Sequence, residues 1–328
     1  MTSNLPHPIY ERIIPFRKVP YWLFWFLFGV GIFFAGMIVV SLFYERQFVW
    51  TQLAFAAMSA SIPSSIVFMY YDFRNTYNAL AEVLWDDQLE FRRWFDARTS
   101  RVFTLRSTPA KLLVIGFLTL TLITVFLSGL PFKAGGLNVI ALSGFFTLMV
   151  IGAQAAYILL DLLITLNDVT HRDPHVPFFR LPHPALSRLF NMYARSSLLT
   201  SVAYALLVIA IWQGPYGFSL QMQAWLTVLA AYPLAMFFWS FFRVHILMQK
   251  AKQSHLELIN AEVVRNFNMM TASKESDMVQ RLEKVMEIQS KIQSVREWPI
   301  AVQGVFAFIV TFVTLAAQIV SLARAVVP

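Results

Sequence analysis

Seven long, mostly apolar stretches alternate along the chain with short turns or charged segments, and this alternation predicts the architecture. They run from Tyr21 to Phe43, Phe48 to Tyr71, Ala110 to Leu130, Leu137 to Leu166, Leu186 to Trp212, Gln221 to Leu247 and Ile300 to Val327. A helix rises 1.5 Å per residue, so about 20 apolar residues cross the ~30 Å hydrocarbon layer of a bilayer. Each stretch meets that length. The expected fold is all-α: a polytopic membrane bundle of about seven transmembrane helices plus amphipathic helices on the cytoplasmic side. Ala54, Ala56, Ala57 and Ala60 in the second stretch leave room for a neighbouring helix to approach closely.

Between the spans the pattern changes period. In 72–106, Leu80, Leu84, Phe91 and Phe95 recur at helical spacing, with Arg92, Arg93 and Arg98 placed elsewhere around the wheel. This segment is expected to continue the second span as a helical excursion, with Trp85 and Trp94 at the headgroup level. Pro109 suits the start of the third span. From 249 to 297 the chain is charged and amphipathic again. Leu256, Ile259, Val263 and Phe267 mark one helix. Met278, Leu282, Val285, Ile292 and Val295 mark a second with a seam-like rhythm. The pair reads as a helical hairpin, or as two helices that pack on neighbouring subunits. The organisation is therefore a six-span bundle over 1–248, a hairpin over 249–297 and a final span over 298–328.

Composition agrees with a second, apolar solvent. The 328 residues are 58% hydrophobic and 13% charged, about half the charge usual in a soluble chain. The absence of Cys excludes disulfides, thiolate metal sites and Cys nucleophiles. The first 20 residues carry no short apolar region with a cleavage site, so the first stretch is expected to be retained as a span.

The net charge of +8 is unevenly placed. With this threading, 22 of the Lys and Arg fall on one side and only Arg46, Lys133 and Arg324 on the other. The positive-inside rule then puts the N-terminus in the cytoplasm and the C-terminus outside, in a plasma membrane or bacterial inner membrane. The basic charge is a membrane signature, and no nucleic-acid partner is expected. The expected partners are the lipid bilayer and either further copies of the chain or a partner within a membrane complex.

Four sets of residues carry candidate chemistry. Asp161 and Arg195 lie on adjacent spans toward the cytoplasmic end and are expected to form an interhelical ion pair. Gln303, Thr311, Thr314 and Gln318 share one face of the last span, either as helix–helix hydrogen-bonding groups or as a polar pore stripe. Trp298 and Pro299 mark the entry to that span, as a helix start or as a hinge. His171, Asp173 and His175 alternate in a Pro-rich loop and, if extended, share a face that suits Zn or Fe. The alternative is a solvated loop. No Gly-rich phosphate loop, nucleophile elbow or paired catalytic carboxylates occur, and which cofactor the chain takes, if any, is unknown from its sequence.

The plan of seven spans, an inside N-terminus, long cytosolic helices before the last span and a polar stripe within it resembles the insect chemoreceptor-like seven-helix ion channels. That resemblance implies cytosolic helices that anchor an oligomer and a last span that lines the pore. The chain lacks the Thr-Tyr pair that the family carries ahead of Gln-Phe in its last helix. Separately, Arg296-Glu297-Trp298-Pro299-Ile300 is similar to a pattern in uncharacterised bacterial membrane proteins and implies no activity. The functional expectation is an oligomeric channel. The alternatives are a membrane scaffold that binds through its cytosolic helices, or a membrane-embedded metal enzyme.

Overall fold

The computed structural model describes residues 19–43, 49–104, 108–127, 138–172, 184–212, 220–273 and 276–294, together with 306, 308–314 and 316–317. Among these residues there is no strand; nearly all are helical. The helices are α1 (Tyr21–Phe43), α2 (Val49–Leu84), α3 (Gln88–Thr104), α4 (Thr108–Leu127), α5 (Asn138–Thr170), α6 (Pro184–Trp212), α7 (Leu220–Ser273) and α8 (Ser276–Gln293). The described residues of 308–314 are helical as well.

Five of these helices are long and apolar enough to cross a membrane, within Tyr21–Ile38, Leu53–Leu84, Val150–Thr170, Ala185–Ile209 and Leu226–Arg265. A shorter apolar helix spans Lys111–Leu120. The count of about seven therefore reduces to five among the described residues.

Four helices form a ring: α2 packs on α6, α6 on α7, α7 on α5, and α5 back on α2. Helix α1 lies outside the ring against α2, and α4 lies outside it against α5. The α1–α2 contact is close because it is built from small residues. A Cβ added to Gly29 would meet the Ala56 carbonyl oxygen and the Ala60 Cβ, each at 2.8 Å. The alanine face expected from sequence is thus used, with a glycine as its counterpart.

As expected, the second span continues as a helix beyond Tyr71: α2 runs unbroken for 36 residues to Leu84. The chain then turns at Asp86 and Asp87, and α3 begins. The Asp87 carboxylate accepts a bond from the Leu89 N–H at 2.8 Å, an N-cap that fixes the start of α3. The sixth span and the first hairpin helix are one element, the 54-residue α7. At 1.5 Å per residue it is roughly 80 Å long, far more than a bilayer needs. Pro233 sits within it without ending it.

The densest core lies at the basic end of the ring, not midway along it. Phe73, Tyr77 and Leu80 of α2, Phe91, Phe95 and Phe103 of α3, Leu162 and Leu166 of α5, Leu186, Leu189 and Tyr193 of α6, and Leu247 and Ala251 of α7 are all buried there. Phe73 stacks on Phe95 at 5.7 Å between ring centroids and meets Phe103 edge-on at 5.8 Å. Trp85 and Trp94 belong to this layer. Trp85 is buried against Phe91 and Trp94, and Trp94 packs on Tyr77, so neither stands free at a headgroup surface as expected. Elsewhere the ring is covered by exposed apolar side chains, among them Phe26 and Phe34 of α1, Leu112 and Ile115 of α4, and Phe238 and Phe242 of α7. Such an exterior is stable against hydrocarbon and costly against water.

Candidate functional site

The most unusual chemistry in the interior is a cluster of charges held between α3 and α5. Phe91, Phe95 and Val102 face the core at helical spacing, and Arg98 falls on the same stripe. Packing α3 on α5 therefore carries the Arg98 guanidinium inward with the phenyl rings. Opposite it stands Asp161, whose side chain is only 1% exposed. Arg101 reaches Asp161 at 3.2 Å and Arg98 reaches it at 4.0 Å, while Arg98 also pairs with Asp168 one α5 face-repeat further on. Two arginines and two aspartates balance in charge, which is the condition for burying charge at all.

Tyrosines surround the cluster. The Tyr157 hydroxyl donates to the Arg101 carbonyl at 3.3 Å. Tyr157 first, and the Asp161 carboxylate second, raise the Arg101 guanidinium above its ordinary value, so it stays charged. Tyr77 and Tyr193 pair through their hydroxyls at 3.1 Å, and Tyr193 donates to the Leu162 carbonyl at 2.7 Å, joining α2, α5 and α6. Some polar atoms in the cluster have no hydrogen-bond partner: the Thr99 hydroxyl, the Nε of Arg98 and of Arg101, and both carboxylate oxygens of Asp161. Asp161 is thus held by charge and not by a directed bond.

The expected Asp161–Arg195 pair does not form. Asp161 is taken by Arg98 and Arg101, and Arg195 pairs with Asp72 of α2 at 3.4 Å. The reason is geometric. Helices α5 and α6 lie diagonally in the ring, whereas α6 lies beside α2 and α3 lies beside α5. The signal that could have found the true partner is the spacing of Arg98, three residues after Phe95 and seven after Phe91, which places it on the apolar face and not elsewhere around the wheel.

A second set of contacts locks the rim of this layer. Arg172, just past α5, reaches Glu90 at 2.9 Å and lies over the Trp85 ring at 4.5 Å. Lys250 of α7 donates to the Thr170 carbonyl at 3.1 Å, a cation at the negative end of α5.

The other expected residues fall as follows. Thr311 is buried and donates to the Ser201 hydroxyl of α6 at 2.7 Å, while Thr314 turns back to the Val310 carbonyl. Phe308 packs on Phe237 and Phe238 of α7, so the described part of the last span docks on α6 and α7. Gln303, Gln318, Trp298 and Pro299 lie outside the described residues. So do Asp173 and His175, while His171 is exposed and its Nδ1 lies 2.7 Å from the Asn167 carbonyl. Among the described residues no group of three or more His, Asp or Glu is placed to hold a metal.

The remaining candidate surface is the hairpin. Beyond the ring, α7 continues past the packed layer and α8 folds back along it. The Gln289 amide donates to the Asn260 side chain at 2.9 Å, and Lys252 donates to the Gln293 carbonyl at 2.7 Å. Ile259 and Ile292 are buried, whereas Leu258, Val264, Phe267 and Met286 are exposed. No protein-family model, curated protein or solved structure matches the chain. What is established is an all-helical protein with five helices fit to cross a membrane, a compact layer at one end and a hairpin projecting from it.

Proposed function

We propose that the protein is a multi-pass membrane scaffold that assembles through its cytoplasmic hairpin, with a second copy of the chain as the partner. In this reading the third and seventh apolar stretches also cross, giving seven spans. The N-terminus and hairpin lie in the cytoplasm and the C-terminus lies outside, because that threading gathers most of the Lys and Arg on one face.

The observation that carries the reading is the exposure of Leu258, Phe267 and Met286 on the hairpin, beyond the packed end of the ring. Exposed apolar groups on a charged, water-facing hairpin mark a protein contact. Residues 249–297 hold eight Lys and Arg against seven Asp and Glu. That nearly neutral, interleaved pattern does not fit a nucleic acid or an anionic lipid surface. It is complementary to a like hairpin, in which each sign meets the other. A pore lined by the last span has less support, because Thr311 is spent on Ser201 within the same chain.

The chain has no cysteine, so a single Met286→Cys is a clean reporter. In full-length protein carrying Met286→Cys in nanodiscs, a short bismaleimide should join two copies through position 286, and adding Phe267→Asp should abolish the product. A protein that stays monomeric at micromolar concentration with no cross-link would overturn the proposal.

A further inference from the structure

The four-helix ring is not filled along its whole length. Away from the basic end, between α2, α5, α6 and α7, it encloses a chamber of about 130 Å³ with a mouth to the outside. Its walls are mostly apolar, with Phe55 and Met58 of α2, Leu159 of α5, Ala203 of α6 and Leu229 of α7. Ser65, Tyr204, Tyr232 and Thr200 also line it, and the Thr200 hydroxyl is turned to the Ser196 carbonyl of its own helix. Two features make the space. Gly152 stands in the wall, and a Cβ added there would meet no atom within 4 Å. Pro233 stands in the adjoining α7 wall and has no N–H to give the Leu229 carbonyl one turn before it.

We propose that this chamber is a binding site for the terminal part of a bilayer lipid's acyl chain. Close packing disfavours a void of this size. Water does not relieve it, because an apolar cavity of about 150 Å³ stays dry and takes a guest of benzene's size. A volume of about 130 Å³ with these walls therefore selects a few methylene groups, not a polar solute. The lining residues all lie in helices fit to cross a membrane, and their outer faces carry exposed apolar side chains. The phase against the mouth is thus hydrocarbon, and the most abundant apolar guest there is an acyl chain. The inference rests on the ring lying in lipid and is independent of the hairpin.

The test uses full-length protein in nanodiscs containing a phospholipid with a diazirine at the chain end. Light converts the diazirine to a carbene, with loss of dinitrogen, and the carbene inserts into a neighbouring C–H bond. Labelled residues are read by mass spectrometry. Labelling is expected at 152–159 and 199–207, as well as on the exposed α4 face at Leu120 and Ile123. Gly152→Leu projects its side chain into open space, so it should fold, and should cut the interior labelling at least fivefold while the α4 labelling stays unchanged. Ala203→Leu, from the opposite wall, should do the same. Labelling confined to α4 would overturn the inference while leaving the membrane assignment intact. Interior labelling that persists in both filled variants would overturn it too, as would entry of dissolved xenon with no acyl-chain labelling. Absence of label from α4 as well would remove the membrane assignment itself.

Discussion

The two ends of the ring solve the packing problem differently. At the basic end, large aromatic side chains from α2, α3, α5 and α6 interlock, and the charges they enclose are matched one to one. At the other end the contacts are made by glycine and alanine, the interior holds a chamber, and the large side chains point outward. In Tyr21–Ile38 only 11% of the residues are buried, against 61% in Val150–Thr170, which runs down into the basic layer. The proposed threading accounts for the difference: water drives apolar groups together into a dense core at the basic end, whereas hydrocarbon gives no such drive and leaves the other end to close backbone approach.

The largest effect is expected where charge is buried. Asp161→Ala removes the negative charge that Arg98 and Arg101 share. Loss of one partner from a buried pair costs about 3–5 kcal/mol, and the half-exposed Arg101 argues for the lower end. Unfolding in mixed micelles should show a loss of about 3 kcal/mol; a change below about 1 kcal/mol would mean that the cluster does not hold α3 to α5.

Gly29→Val should come next. The added carbon meets a backbone oxygen at 2.8 Å that cannot rotate away, so α1 must shift, at about 1–3 kcal/mol. The basic layer should be unaffected, which hydrogen exchange of α3 would report. Slower α1 exchange, or faster exchange throughout, would break the division between the two ends.

Tyr193→Phe deletes the hydroxyl that donates to Leu162 and pairs with Tyr77. A buried Tyr77 hydroxyl then loses its acceptor, and about 1–2 kcal/mol should be lost in the same unfolding assay. Arg195→Ala, at a half-exposed pair with Asp72, should cost less than about 1 kcal/mol, which sharpens the contrast with Asp161.

The smallest effect lies in the hairpin. Hydrogen bonding to Lys291, and then its charge, hold the Glu287 carboxyl below its ordinary value. A depressed carboxyl stabilises the folded state at pH above its unfolded value, and the contribution is lost as pH falls through the folded one. Exchange in α8 should therefore quicken slightly on acidification through the carboxylate range, and Lys291→Ala should remove that increment.

Periodicity and composition were enough for the all-helical class and for helices of membrane-crossing length. They were not enough for the extent of α7. Residues 248–273 are polar enough to look like a separate element, yet helix propagation continues through them because nothing breaks it. The pairing of Asp161 was missed for a different reason. Neighbours in sequence are not neighbours in a ring, and α6 sits across from α5. The chamber left almost no trace, since Gly152 in an apolar run reads as ordinary span composition and the void it faces depends on three other helices.

The most direct test is the side of the membrane reached by single cysteines, placed one at a time in the cysteine-free chain and challenged with a membrane-impermeant maleimide. Asp86→Cys at the α2–α3 turn and Leu258→Cys on the hairpin should both react from the cytoplasmic face, and Lys133→Cys only from the opposite one. Reaction of positions 133 and 258 from the same face would contradict the account.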